Sequence, residues 1–358
     1  MFFRAGRSVS PKRNGNSPRS GTAVGGEGRR SRMNVETKSS AGKALRILVT
    51  GAAGMVGQNL IPRLLSRGCR VTAVDKNPAT LAVLSARALE ARAYQADLSE
   101  PGDWMDLLAD CDVVVDLKAQ ITSPDRSIHM RNNAVATALI LDACERHHVR
   151  HLIHLSSSVV MSKANDFYTE SKRLGEIAVR TRGVPHTILR PPLMYGPGDI
   201  KHLGLILGLM EKFPLIPIPG DGRYLRQPLH VADLCSVIER VLDIEPEGSA
   251  LNIIGHDRIP FIDLLRKIRQ VRRLKCLLLP TPMVIFRAAL GVQRLFLRRQ
   301  LFTTQQLEAL TAGDDFPVEN WSEVFSVSVR SFASTAEEVY GREDGLRRTL
   351  SQAASSLR

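Results

Sequence analysis

RILVTGAAGMVGQNLIPRLL, residues 46–65, is the stretch on which the fold turns. An apolar run of strand length enters a turn carrying Gly51, Gly54 and Gly57, and apolar residues at helical spacing follow. A bare glycine pattern says little. With a strand before it and a helix after it, the glycines allow a tight turn and close backbone approach, so that a pyrophosphate can sit on the amide-rich N-terminus of the helix. The next apolar run, RVTAVD, ends at Asp75, roughly twenty residues on, where a carboxylate accepts hydrogen bonds from an adenosine ribose. That carboxylate also repels a ribose 2′-phosphate, so NAD is favoured over NADP, although Lys76 follows it directly.

Outward from this unit the pattern repeats. PATLAVLSARALE reads as a helix, ARAYQAD as a strand, DWMDLLAD as a helix, CDVVVDL as a strand, NAVATALILDACERHHV as a helix, HLIHLSS as a strand, TESKRLGEIAVRT as a helix and HTILRP as a strand. Alternation of this kind means βαβ units, because parallel neighbours need crossover connections. The expectation is an α/β protein, with a doubly wound parallel sheet of Rossmann type over residues 44–191. Residues 192–358, richer in Pro and Gly, read as a smaller, mainly substrate-binding C-terminal region, with exchange of a strand and a helix between the two regions allowed. Residues 1–43 read as a disordered basic tail, too poor in apolar side chains to fold; ten Lys/Arg against two Glu give it a net charge of +8. An Arg/Ser-rich, acid-poor start is also the composition of an organelle transit peptide, and translation from Met33 is an equal alternative.

Most of the formal charge of +13 therefore lies outside the presumed folded body, and a nucleic-acid partner is not expected. From Leu264 to Leu307 no acidic residue occurs, while basic residues alternate with apolar runs such as CLLLP and MVIF. That composition suits amphipathic helices of a substrate-binding region, with a peripheral membrane contact through 264–307 as the alternative. The five cysteines are scattered, form no CxxC pair and are odd in number, which argues against disulfides and zinc and fits a cytoplasmic protein. His147, His148, His151 and His154 cluster in sequence, but a strand sends His151 and His154 to different surroundings, so no metal is expected.

Chemistry enters at HLIHLSSSVVMSKANDFYTESKRLGE. Hydroxyls stand at the end of a strand, and Tyr168 and Lys172 lie four apart, on one face of a helix start. An ammonium near a phenol stabilises the phenolate and brings a tyrosine pKa down from near 10, making a usable general acid/base.

The combination resembles the extended short-chain dehydrogenase/reductase family, the NAD-dependent epimerase/dehydratase group. The resemblance runs from about Leu45 to Asp233 and rests on TGAAGMVG at 50–57, ADL at 96–98, NAVAT at 133–137, HLSS at 154–157, YTESK at 168–172, LRPPLMYGPGD at 189–199 and RQPLHVADL at 226–234. It implies catalytic roles for Ser157, Tyr168 and Lys172. It also implies a cofactor site of Gly51, Gly54, Met55, Val56, Gly57, Asp75, Asp97, Leu98, Lys118, Asn133, Tyr168, Lys172 and Pro192, although Asp97 reads equally well as a helix N-cap. Substrate contacts would fall on Ser158, Leu193 and Arg226, the last matching an arginine that binds the diphosphate in relatives acting on nucleotide sugars. The implied function is a nucleotide-sugar 4-epimerase or 4-keto reductase using NAD, in a homodimer. The chain departs from the family pattern at DLKA, which puts Lys118 where a small residue is usual, at Leu193, where Asn is common, and at Met161 and Ser162, where Tyr-Gly is common. Two alternatives follow: a dehydrogenase for a hydrophobic or lipid-linked alcohol at a membrane surface, and a non-catalytic dinucleotide-binding protein.

Overall fold

The computed structural model describes residues 43–164, 166–296, 304–313, 316–342 and 344–355, and the expected N-terminal tail lies outside them. Its centre is a seven-stranded sheet. β1 (Arg46–Thr50), β2 (Arg70–Asp75), β3 (Arg92–Gln95), β4 (Val113–Asp116), β5 (His151–Leu155) and β6 (His186–Arg190) stand in the order β3-β2-β1-β4-β5-β6, every pair parallel. A seventh strand, Ser249–Asn252, adds in parallel beside β6. It comes from the C-terminal region, so the boundary expected at residue 191 is crossed by the chain.

β1, β4 and β5 are buried along nearly their whole length, as strands covered on both faces must be, and this explains their unbroken apolar reading. On one face, α1 (Met55–Ser66) and the helix Val231–Ile244 pack around Ile47, Val49, Leu60, Leu64, Val237 and Val241. On the other, the helices Ala136–Arg146 and Phe167–Thr181 cover Leu48, Val114, Leu152 and Ile188. Ala136–Arg146 is preceded by a wider helical turn, Met130–Val135, and the expected helix over DWMDLLAD is a short 3₁₀ segment, Asp103–Leu108. A third core, centred on Tyr195, Leu207, Ile218, Phe261, Leu265 and Phe332, holds the C-terminal region together.

The helix Phe167–Thr181 is fixed to the sheet by one carboxylate. Glu176 accepts hydrogen bonds from Ser156 just past β5, from Arg180 on its own helix and from Arg190 at the end of β6. At the other end Asp166 caps the helix, taking the amides of Tyr168 and Thr169. Arg173 donates to the carbonyls of Val160 and Ser162, which ties down the turn between β5 and this helix.

The partners of Glu176 hold its carboxyl down at about 2, against burial that opposes them. A carboxyl depressed on folding contributes stability that is complete above its unfolded value of 4.5 and is lost as pH falls toward 2. Glu176→Gln should therefore cost about 3 kcal/mol at pH 7, with the gap to the wild type closing between pH 4.5 and 2 in urea titrations. A gap unchanged across that range would show that the ion pairs do not carry the effect.

Candidate active site

The glycine turn is shaped by contacts that leave no room for side chains. Gly51 takes φ +60°, and a Cβ there would lie 2.7 Å from the backbone of Lys118, at the end of the neighbouring strand. At Gly57 a Cβ would come within 2.1 Å of the Ala52 carbonyl oxygen, so only glycine lets α1 rest on its own turn. Gly54 stands at the N-cap of α1, no side chain caps the helix, and no acid lies in its first turn. The amides of Met55, Val56 and Gly57 thus open toward the carboxyl edge of the sheet, with the helix dipole behind them.

Asp75 accepts hydrogen bonds from the amides of Ala53 and Asn77, 3.0 Å each, and so joins the end of β2 to the glycine turn. Asp97 does not cap a helix by its own reach into one; it closes a local turn by taking the amide and hydroxyl of Ser99, with Leu98 buried beside it. Helix amides without a side-chain cap, a turn that only glycine fits and a carboxylate at the second strand end form a cradle that suits a dinucleotide.

Beyond the turn, between β1 and β4, lies a buried polar group of four. Asp116 accepts from the Thr50 hydroxyl at 2.6 Å, the Lys118 ammonium at 3.1 Å and His154 Nδ1 at 2.8 Å. Lys118 also donates to Thr137 at 2.6 Å, so its charge is directed inward while its backbone lines the glycine turn. Burial pushes His154 down to about 4, so the imidazole is neutral and Nδ1 carries the proton toward Asp116. His151 is spent elsewhere, on the Thr187 hydroxyl.

The residues expected to do acid–base chemistry come together. The Ser157 hydroxyl stands close enough to the Tyr168 phenol to oppose the effect of its burial, and Lys172, 2% exposed, lies one helical turn on. Its ammonium donates to the Leu155 carbonyl at 2.6 Å, and burial and the neighbouring Lys118 bring it down to about 7. The expected lowering of the phenol is not found. Burial pushes Tyr168 up to about 12, and the nearby Ser157 hydroxyl pulls against that shift without reversing it. Ser158 turns inward: it is buried and its hydroxyl has no partner in the described structure. Pro192 is buried just past β6, after Pro191, whose carbonyl takes the Ser158 amide.

Asn133 holds the site from behind. Its side chain accepts from the Gln120 amide and donates to the Gln120 carbonyl and to Ser171, which fastens the loop after β4 to the helix of Tyr168. His129 continues that clamp, with its ring nitrogens at the carbonyls of Gln120 and Ser123 and its ring 6.4 Å from that of Tyr168. Sequence reasoning passed over His129 and Glu176; the spacing of Glu176, four residues past Lys172 on the same helix face, was the available signal. On the substrate side, Leu193 packs on the third core. Arg226 is 6% exposed, with its guanidinium against the Leu310 carbonyl and 5.5 Å from the Tyr224 ring.

A profile of the NAD dependent epimerase/dehydratase family matches residues 47–253. A dTDP-glucose 4,6-dehydratase of Streptomyces niveus is 29% identical over 258 residues, 63% of this chain and 76% of that protein. A ceramide reductase of Caulobacter vibrioides is 26% identical over 227 residues, 63% of this chain and 65% of that protein. Among solved structures, UDP-glucuronic acid 4-epimerase of Bacillus cereus in complex with UDP-glucuronic acid and NAD superposes with a TM-score of 0.64 at 21% identity, over 86% of this chain and 99% of that one. MoeE5 in complex with UDP-glucuronic acid and NAD gives the same score and identity over 87% and 100%.

Lys172 generates a prediction with a definite sign. A lysine held at about 7 on folding, against 10.5 unfolded, costs stability at neutral pH, and that cost shrinks as pH rises toward 10.5. Relative to Lys172→Met, the wild type should gain about 2 kcal/mol between pH 6.5 and 8.5 in urea titrations. A constant difference would mean that the ammonium stays charged in the native state.

Proposed function

The chain belongs to the NAD dependent epimerase/dehydratase family, and from that premise we propose that it acts on a nucleotide sugar, as a 4-epimerase or a 4-keto reductase. The observation that carries the reading is the Ser157 hydroxyl beside the phenol of Tyr168, with Lys172 one turn along the same helix. NAD, when bound at the glycine turn, accepts or returns the hydride.

The protein's own residues handle the oxygen. Ser157 can donate a hydrogen bond to a substrate carbonyl, and Tyr168 passes its proton to that same oxygen as the carbonyl becomes an alcohol. A phenol at about 12 is protonated at neutral pH, which is the form needed for the reductive step. In the oxidative step the phenolate form of the same oxygen takes the alcohol proton, and the Lys172 ammonium at the Leu155 carbonyl supplies nearby positive charge when protonated. Asp75 suits NAD through a carboxylate at the end of β2 that keeps acceptor capacity beyond its two amide bonds, and the amides of Met55, Val56 and Gly57 suit the pyrophosphate.

Dehydration fits less well than epimerisation or reduction. Elimination of water next to a keto group needs a further acid/base pair at the sugar, and residues 156–164, SSSVVMSKA, carry no carboxylate. A nucleotide sugar is supported by the dTDP-glucose 4,6-dehydratase relative and by a buried arginine, Arg226, whose planar fork suits a diphosphate. The second reading, a dehydrogenase for a hydrophobic alcohol, is favoured by Leu193 on the substrate side and by the ceramide reductase relative.

Incubation with UDP-, GDP- and dTDP-sugars, followed by mass spectrometry of products, should show interconversion of one 4-epimer pair or reduction of a 4-keto sugar. Tyr168→Phe should lower kcat/KM at least about 100-fold while NAD affinity stays within a few-fold. Undiminished turnover by Tyr168→Phe would remove the acid–base role of Tyr168. Turnover confined to amphiphilic alcohols would move it to the second substrate class.

A further inference from the structure

The C-terminal region contains a short parallel ribbon, Leu215–Pro219 beside Leu277–Thr281, whose two faces are both apolar. Ile216 and Ile218 face the third core, and Leu278 packs against it. Strand alternation puts Leu215, Pro217, Leu277 and Leu279 on the opposite face, paired in register as Leu215 with Leu277 and Pro217 with Leu279, and all four are exposed. A two-stranded ribbon with one wet face normally carries polar residues there. This one presents leucine, with Leu277 62% accessible.

The apolar surface extends at both ends. Phe213 precedes the first strand, Leu205 and Leu209 are exposed on the helix Leu203–Lys212 before it, and Val284 and Ile285, at 79% and 58%, follow the second strand. Basic side chains border it: Lys212 beside Phe213, and Arg273 and Lys275 just before Leu277, all exposed. No acidic residue occurs between Leu264 and Leu307.

We propose that this face docks the protein on an anionic lipid bilayer surface, with the leucines of the ribbon and Val284 and Ile285 entering the headgroup region and Lys212, Arg273 and Lys275 meeting lipid phosphates. Charge decides between lipid and a second copy. A two-fold contact through this ribbon would bring the same lysines and arginine of both copies together, whereas an anionic surface complements them. The contact is peripheral: among the described residues no helix is long and apolar enough to cross a membrane. The proposal stands apart from the substrate reading, because a nucleotide-sugar enzyme and a lipid dehydrogenase can both work at a membrane surface.

The test uses the full chain and sedimentation with vesicles of phosphatidylcholine alone or mixed with phosphatidylglycerol. Because the N-terminal 43 residues carry +8, binding alone is not enough. The informative comparison is Leu277→Ser/Leu279→Ser, which leaves every charge in place and should lower partitioning onto the mixed vesicles about tenfold. Equal partitioning of this variant and the wild type would overturn the proposal, as would a change in its oligomeric state by analytical ultracentrifugation without loss of vesicle binding. A second variant guards against misfolding. Both natural tryptophans are buried, so Leu279→Trp adds an indole that should shift to the blue and be quenched by lipids brominated on the acyl chain; an unquenched indole on bound protein would also overturn it.

Discussion

Asp116 sits 1% exposed at the carboxyl end of β4, where β1, β4 and β5 converge, and much of the site is arranged around keeping its charge there. A lone buried carboxylate would be far too costly, so three elements each bring it a donor: Thr50 from β1, His154 from β5 and Lys118 from the loop that follows it. Those partners hold the carboxyl well below its ordinary range. The arrangement also places Lys118 where it opposes a second positive charge, and Lys172 feels that opposition in addition to its own burial. An unusual residue at one strand end is thereby coupled to the ammonium one helical turn from Tyr168.

The same logic explains which parts of the protein could be read from its residues. The strand, glycine turn and helix at 46–65 obey local rules: side chains are excluded by the Lys118 backbone and the Ala52 carbonyl, and the sequence answers with glycine at both places. The parallel sheet follows from crossover geometry once the βα alternation is recognised, while its strand order is seen only in the fold. The proximity of Ser157, Tyr168 and Lys172 was legible too, because a strand end and one helical turn suffice to bring them together.

Other features depend on contacts that no local pattern announces. The strand Ser249–Asn252 is four residues long, reads SALN, and takes its identity from pairing with β6. Lys118 read as a cofactor neighbour because its position in the chain is that of one; only the sheet shows Asp116 and Thr137 within reach of its ammonium. The phenol was expected to fall and instead rises, since spacing along a helix reports that Lys172 is near but not that its ammonium is directed to the Leu155 carbonyl. Asn133 and His129 act through backbone carbonyls of Gln120 and Ser123, and a carbonyl carries no sequence signature.

Arg226 lies where distant segments of the C-terminal region meet. Its strand, Leu225–Arg226, pairs antiparallel with Ile259–Pro260, and its guanidinium rests against the Tyr224 ring and the Leu310 carbonyl. The neighbouring Gln227 exchanges hydrogen bonds with the backbone of Phe316 in both directions, so two consecutive side chains bind segments that come some eighty residues later in the chain.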